Sequence, residues 1–189
     1  MNITNLLITP QHLTRHLVKW SLLFAAGALL VGLPWIRWVQ GRDVLQALVG
    51  SALPQGLLYG GGLGLLITGV VWPFFRHVPA GQAVLHRLNA MLDFQQLRVR
   101  DIMLIALSAG VGEEVLFRGV LQPHLGVWPT SILFGALHPL SWWYMLYGTG
   151  AGLLLGYLAI ITEGLLAPIV CHTVVDGLLL WRARAWAKG

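Results

Sequence analysis

The sequence predicts an all-α, polytopic membrane fold: about six transmembrane helices, with an amphipathic interfacial helix between the second and third. Three observations carry this. The 189 residues are 57% hydrophobic and only 10% charged, with a mean hydropathy of +0.73. A soluble domain carries roughly 25% charged residues. So little polar surface cannot coat a water-soluble globule, which excludes an ordinary soluble enzyme, a disordered chain and a nucleic-acid module. Apolar runs near the ~20 residues that cross a bilayer recur along the chain. The 23 glycines and 9 tryptophans suit close helix packing and interfacial anchoring.

The elements follow in order. Spans are expected at about Val18–Trp38, Pro54–Phe75, Asp101–Leu121, Val127–Leu140, Ser141–Ile161 and Leu165–Trp186. The fourth is short for a full crossing. The first is too long for the apolar core of a cleavable leader and reads as a span. Val44 to Leu53 is a short interfacial or re-entrant piece. The polar stretch Arg76–Arg100 spaces Leu85, Leu88, Met91 and Leu92 among charged residues, the pattern of a helix lying on the membrane surface. Tyr59-Gly60-Gly61-Gly62-Leu63-Gly64 lies inside a span and reads as a packing surface or kink, not a phosphate loop. The chain is read as a single integral membrane domain. Residues 1–100 supply N-terminal spans and the interfacial helix, and residues 101–186 a catalytic core.

The net charge of +5 sits at span ends, so it reports topology rather than nucleic-acid binding. With six spans, Arg15, Lys19, Arg76, Arg87, Arg98, Arg100, Arg182, Arg184 and Lys188 share one side, and only Arg37 and Arg42 the other. The positive-inside rule then makes both termini cytoplasmic. The pattern is that of a bacterial inner-membrane protein. The partner it requires is the lipid bilayer.

Polar residues inside the spans carry the functional signal. The third span contains Gly112-Glu113-Glu114-Val115-Leu116-Phe117-Arg118. Each charge at mid-bilayer costs about 2.5–3.5 kcal/mol on insertion scales, so these groups must be paired, neutralised or used. Glu114 and Arg118, four apart, share a helix face and can pair. Glu113 is rotated by about 100° and faces another surface. The fourth span holds Phe134 and His138. The sixth holds Cys171-His172, with Asp176 four residues on, on the face of His172. Glu163 lies at a span end and stays outside the set. His124 follows a proline in a loop, and His12, His16, His77 and His86 lie outside the spans.

Counting at 1.5 Å per residue puts Glu113 about 18 Å in from the cytoplasmic side. The same rise puts His138 about 12 Å and His172 about 10 Å in from the outer side. The three share a depth slightly outside the midplane, which predicts an outward-leaning site. A buried glutamate, two histidines and an acidic partner can activate water: Glu113 takes and returns a proton, and the others hold water and the developing oxyanion. Neither a serine nor Cys171 sits beside a base as a covalent nucleophile, because i, i+1 neighbours on a helix do not face each other.

Glu113-Glu114 with Arg118, Phe134 with His138, and His172 with Asp176 resemble, in order and on separate spans, the EExxxR, FxxxH and Hxxx(N/D) motifs of the CAAX prenyl protease and bacteriocin-processing (CPBP, or Abi) family. These are glutamate-dependent intramembrane proteases. The resemblance covers about Asp101 to Trp186. It implies Glu113 as the water-activating base and Glu114, Arg118 and Phe134 as supporting groups. It implies that His138 and His172 polarise the water and oxyanion. Asp176 stands where many members have asparagine, and an ionised aspartate is a poor oxyanion donor. The implied activity is an intramembrane endopeptidase that cuts a protein near its membrane-associated C-terminal tail. The short form resembles compact members proposed to process sorting tails of exported proteins.

The expected cofactor is none. The alternative is Zn²⁺ on Glu113, His138 and His172, whose donor types suit zinc, although there is no HExxH. Two functional alternatives stay open: a catalytically inactive immunity or membrane-partner protein on the same scaffold, and a small proton-coupled transporter.

Overall fold

The computed structural model describes residues 10–189, with side chains from residue 16 onward. The side chains of His12 and Arg15, both used in the sequence reading, lie outside the described residues. Every regular element among the described residues is helical. The long elements are α1 (Pro10–Pro34, continued by a π-helical turn Trp35–Val39), α2 (Val44–Val49), α3 (Leu53–His77) and α4 (Pro79–Leu92). Then come α5 (Val99–Glu114, continued as a π-helix Val115–Leu121), α6 (Gln122–Leu125), α7 (Val127–Ala136), α8 (Trp142–Ile161) and α9 (Leu166–Lys188).

Four stretches are long and apolar enough to cross a membrane: His16–Val39, Val44–His77, Trp142–Ile161 and Leu166–Lys188. They match the first, second, fifth and sixth expected spans. The third expected span is α5 with its π-helical continuation, whose charges set it apart from those four. The fourth is shorter than expected. α7 has ten residues, about 15 Å at 1.5 Å per residue, roughly half of a ~30 Å core. Pro139 lacks an N–H and disfavours helix at the residue before it, so the chain turns at Leu137–Leu140 instead of completing a crossing.

The outer surface of the bundle is apolar. Leu30, Leu58, Leu65, Leu66, Val70 and Ile161 are each more than half exposed, which only a lipid solvent tolerates over so large an area. Exposed tryptophans form two belts. Trp38 and Trp128 mark one end, and Trp142, Trp143 and Trp181 the other, as expected of interfacial anchors.

Small residues set the packing. Gly56, Gly60 and Gly64, four apart on α3, are buried, and a Cβ on Gly60 or Gly64 would run into Ala167, Val170 or Val174 of α9. This is the small-xxx-small solution to close approach in a bilayer. Gly110 does the same for α5 against α9, where Thr173 and the Ile169 backbone leave no room for a side chain. The surface helix is α4. It buries Gly81, Val84 and Leu85, and the Arg87 guanidinium donates to the Leu140 carbonyl at 2.9 Å, fastening the α7–α8 turn to the end of the bundle where α1 begins and α9 ends. The opposite end is closed by α2, which Asp43 caps by accepting from the Gln46 N–H at 2.8 Å. There the Leu165 N–H donates to Ala47 at 3.0 Å and the Ser51 N–H to Thr162 at 3.1 Å.

Candidate active site

The close approach at Gly110 brings the end of α5 against α9. Beyond Glu114 the helix widens into π geometry through Leu121, an irregularity often found at functional sites. The Glu114 and Arg118 side chains are both fully buried, and Arg118 Nη1 donates to Glu114 Oε1 at 3.0 Å. Arg118 Nη2 donates to the Gly152 carbonyl of α8 at 3.0 Å, and the guanidinium lies 4.6 Å from the Phe134 ring centroid. The i, i+4 pair read from the sequence is present.

His172 joins this pair from α9. Its Nδ1 lies 2.7 Å from Glu114 Oε1. A carboxylate oxygen only accepts, so the network assigns the proton to Nδ1. Nε2 then faces Asp176 Oδ2 at 3.5 Å and Glu113 Oε2 at 3.9 Å. The two adjacent glutamates have opposite fates. The Glu114 side chain is 0% exposed and Glu113 21%, so Glu113 is the carboxylate that faces the cavity.

His138 comes from the turn after α7. Its Nδ1 lies 2.7 Å from the Phe134 carbonyl. A carbonyl also only accepts, so Nδ1 carries the proton and a neutral ring presents its Nε2 lone pair. Phe134 is the hub of the packing: its ring centroid is 4.8 Å from His138, 6.0 Å from His172 and 5.0 Å from Phe117. Glu113, His138, His172 and Asp176 line one cavity of about 80 Å³ together with Tyr144 and Tyr147, room for a few waters. All four predicted cavity-facing residues meet there, and Glu114, Arg118 and Phe134 stand directly behind them. Glu163 sits in the α8–α9 turn with φ of 56°, away from the cavity, and His124 accepts from Trp35 Nε1 at 3.1 Å elsewhere.

Sequence reasoning missed Tyr144 and Tyr147. Two tyrosines three apart at the start of an apolar span were the available signal. A second cavity, of about 360 Å³, shares His138, Tyr144, Tyr147 and Asp176 with the site and is walled by Leu17, Leu85, Leu88, Leu92 and Ala183. It extends toward the α4 end of the bundle, whereas α2 and the α8–α9 turn cover the other end.

Among the described residues no three His, Cys, Asp or Glu side chains converge as a metal-binding group, although the Nδ1 contacts of His138 and His172 leave Nε2 as the ring atom open to a ligand.

Residues 95–178 match the family described as type II CAAX prenyl endopeptidase Rce1-like. This segment, under half of the chain, is similar to that family. The matched segment holds every residue of the cavity walls named above apart from the α1 and α4 leucines and Ala183 of α9. The uncharacterized protein YpbD of Bacillus subtilis (strain 168) is 35% identical over 94 residues, which are 48% of this chain and 50% of that protein. The chain thus spans about half the length of this curated relative. No solved structure matches.

Proposed function

We propose that the chain is an intramembrane endopeptidase in which Glu113 activates a water held beside His138 and His172, without a metal. The observation that carries this reading is the pairing of one fully buried, neutralised carboxylate, Glu114, with one that opens to a water-sized cavity, Glu113. An arrangement built only for stability would have no use for the second. In the reaction Glu113 takes the water proton as hydroxide attacks the scissile carbonyl, then delivers it to the leaving amine. The His138 Nε2 lone pair accepts from the water and orients it. Glu114 fixes His172 in one tautomer, as an outer carboxylate does for many functional histidines.

The substrate is a protein with a membrane-associated C-terminal tail, entering along the apolar cavity beside α4. The basic residues at that end support a bacterial inner-membrane setting with both termini and the cavity entrance cytoplasmic. The single integral membrane domain is then a catalytic core, 101–186, completed by α1, α3 and α4.

The test uses the full chain in lipid nanodiscs with two quenched-fluorescent peptides. One carries a farnesylated C-terminal Cys-a-a-X tail and the other an unlipidated apolar tail. Wild-type protein cuts one of them, and Glu113→Gln, which keeps the size but not the basicity, lowers the rate about 10²- to 10⁴-fold. A wild type inactive on both, or a Glu113→Gln variant at near wild-type rate, overturns the reading.

A further inference from the structure

Hydrolysis through a tetrahedral intermediate needs a proton donor aimed at the carbonyl oxygen, and the residues assigned so far do not supply one. Asp176, at the position where an asparagine amide would donate, has only acceptors when ionised. His172 gives its Nδ1 proton to Glu114, and a proton on Nε2 would face Asp176 and Glu113 rather than a substrate. His138 gives its Nδ1 proton to Phe134 and offers a lone pair at Nε2. Of the remaining cavity wall, only Tyr144 and Tyr147 carry an O–H.

The two tyrosines are not equivalent. The Tyr144 ring lies 5.9 Å from that of His138, beside the catalytic groups. The Tyr147 ring packs 5.7 Å from Phe75 on the α3 wall. Tyr144 is also the better fixed: its backbone N–H donates to Ser141 Oγ at 3.1 Å, the cap that starts α8. Among the described residues no hydrogen bond engages its hydroxyl.

The geometry points to Tyr144 as the catalytic oxyanion donor, its hydroxyl replacing the amide that Asp176 lacks. The inference rests on the hydrolytic reading above. The water oxygen bonds to the carbonyl carbon as its proton passes to Glu113. The carbonyl π pair moves onto oxygen, where Tyr144 O–H donates to it. When the pair returns, the C–N bond breaks and the amine leaves with the proton from Glu113.

The test compares wild type, Tyr144→Phe, Tyr147→Phe and the double variant Tyr144→Phe/Asp176→Asn in the nanodisc assay, on whichever of the two peptides the wild type cuts. Tyr144→Phe lowers kcat about 10²- to 10³-fold, the range for loss of one oxyanion donor, with KM and melting temperature near wild type. Tyr147→Phe, on the same wall, lowers kcat at least about tenfold less than Tyr144→Phe. The added asparagine amide in the double variant restores at least about tenfold over Tyr144→Phe, because it returns a donor to the same oxygen. A Tyr144→Phe variant that keeps its kcat, or loses activity through KM alone, overturns the assignment. So does a double variant with no recovery. If Glu113→Gln is silenced in the same assay while Tyr144→Phe is not, only the tyrosine assignment falls. If Glu113→Gln cuts as fast as wild type, the hydrolytic reading falls instead.

Discussion

Glu114 and His172, 58 residues apart in sequence, meet at 2.7 Å through Oε1 and Nδ1. The same Oε1 receives Arg118 Nη1 at 3.0 Å. One carboxylate oxygen therefore balances a guanidinium that cannot lose its charge and sets the tautomer of an imidazole. It also ties α5 to α9, while Arg118 ties it to α8. The pair is buried where water cannot replace either partner, so neither can be removed without leaving the others unmatched.

The first prediction concerns that junction. Glu114→Gln leaves the Arg118 charge uncompensated in a site with no exposure. Breaking a buried pair from one side costs about 3–5 kcal/mol, and unfolding titrations in mixed micelles should read a loss of that order. Arg118→Lys keeps the charge but not the second donor to Gly152, so its loss is smaller. An unchanged unfolding midpoint for Glu114→Gln would contradict the junction.

The second prediction separates packing glycines from lipid-facing ones. A Cβ on Gly60 meets the Ala167 backbone, whereas one on Gly61 meets nothing within 4 Å. Gly60→Ala should destabilise by about 1–3 kcal/mol, the usual cost of overpacking. Gly61→Ala should be neutral or slightly stabilising, since alanine is the better helix former by up to about 1 kcal/mol. The comparison is made in one micelle series, and equal effects at the two sites would refute the α3–α9 contact.

Much of this architecture is legible in the sequence, because a bilayer imposes span length and hydropathy so strictly. Glu114–Arg118 is legible for a second reason: helix geometry alone brings i and i+4 together. The Glu114–His172 contact is not, since it depends on how closely Gly110 lets α5 approach α9. The length of α7 was only half readable. Pro139 marks the break, but the compensating turn fastened by Arg87 is a tertiary contact. Tyr144 was invisible as a site residue because a tyrosine near a span end reads as an interfacial anchor. Its neighbours Trp142 and Trp143 do face outward, at 68% and 57% exposed.

The third prediction concerns metal. If Glu113 activates the water without a metal, strong chelation should leave peptide cleavage intact, and elemental analysis of active protein should find no stoichiometric zinc. One tightly held zinc per chain, lost together with activity in His138→Ala, would overturn the metal-free proposal.

The last prediction concerns the side from which the site is reached. Leu88 of α4 and Leu180 of α9 line the larger cavity, at the end that also bears Arg76, Arg87, Arg98 and Arg182. Ala159 lines a separate recess at the opposite end, beside Arg42 and Glu163. Cys171, the one native cysteine, is buried, so a Cys171→Ala background permits single-cysteine mapping. By the positive-inside rule, the excess of basic residues at the α4 end predicts that this end is cytoplasmic. In inside-out membrane vesicles, a membrane-impermeant maleimide should label Leu88→Cys and Leu180→Cys but not Ala159→Cys. In intact spheroplasts the pattern should reverse. If all three label from one side, the helix connectivity described here is wrong. If the pattern is inverted as a whole, the fold stands and the site opens outward, suiting a tail that has already crossed the membrane.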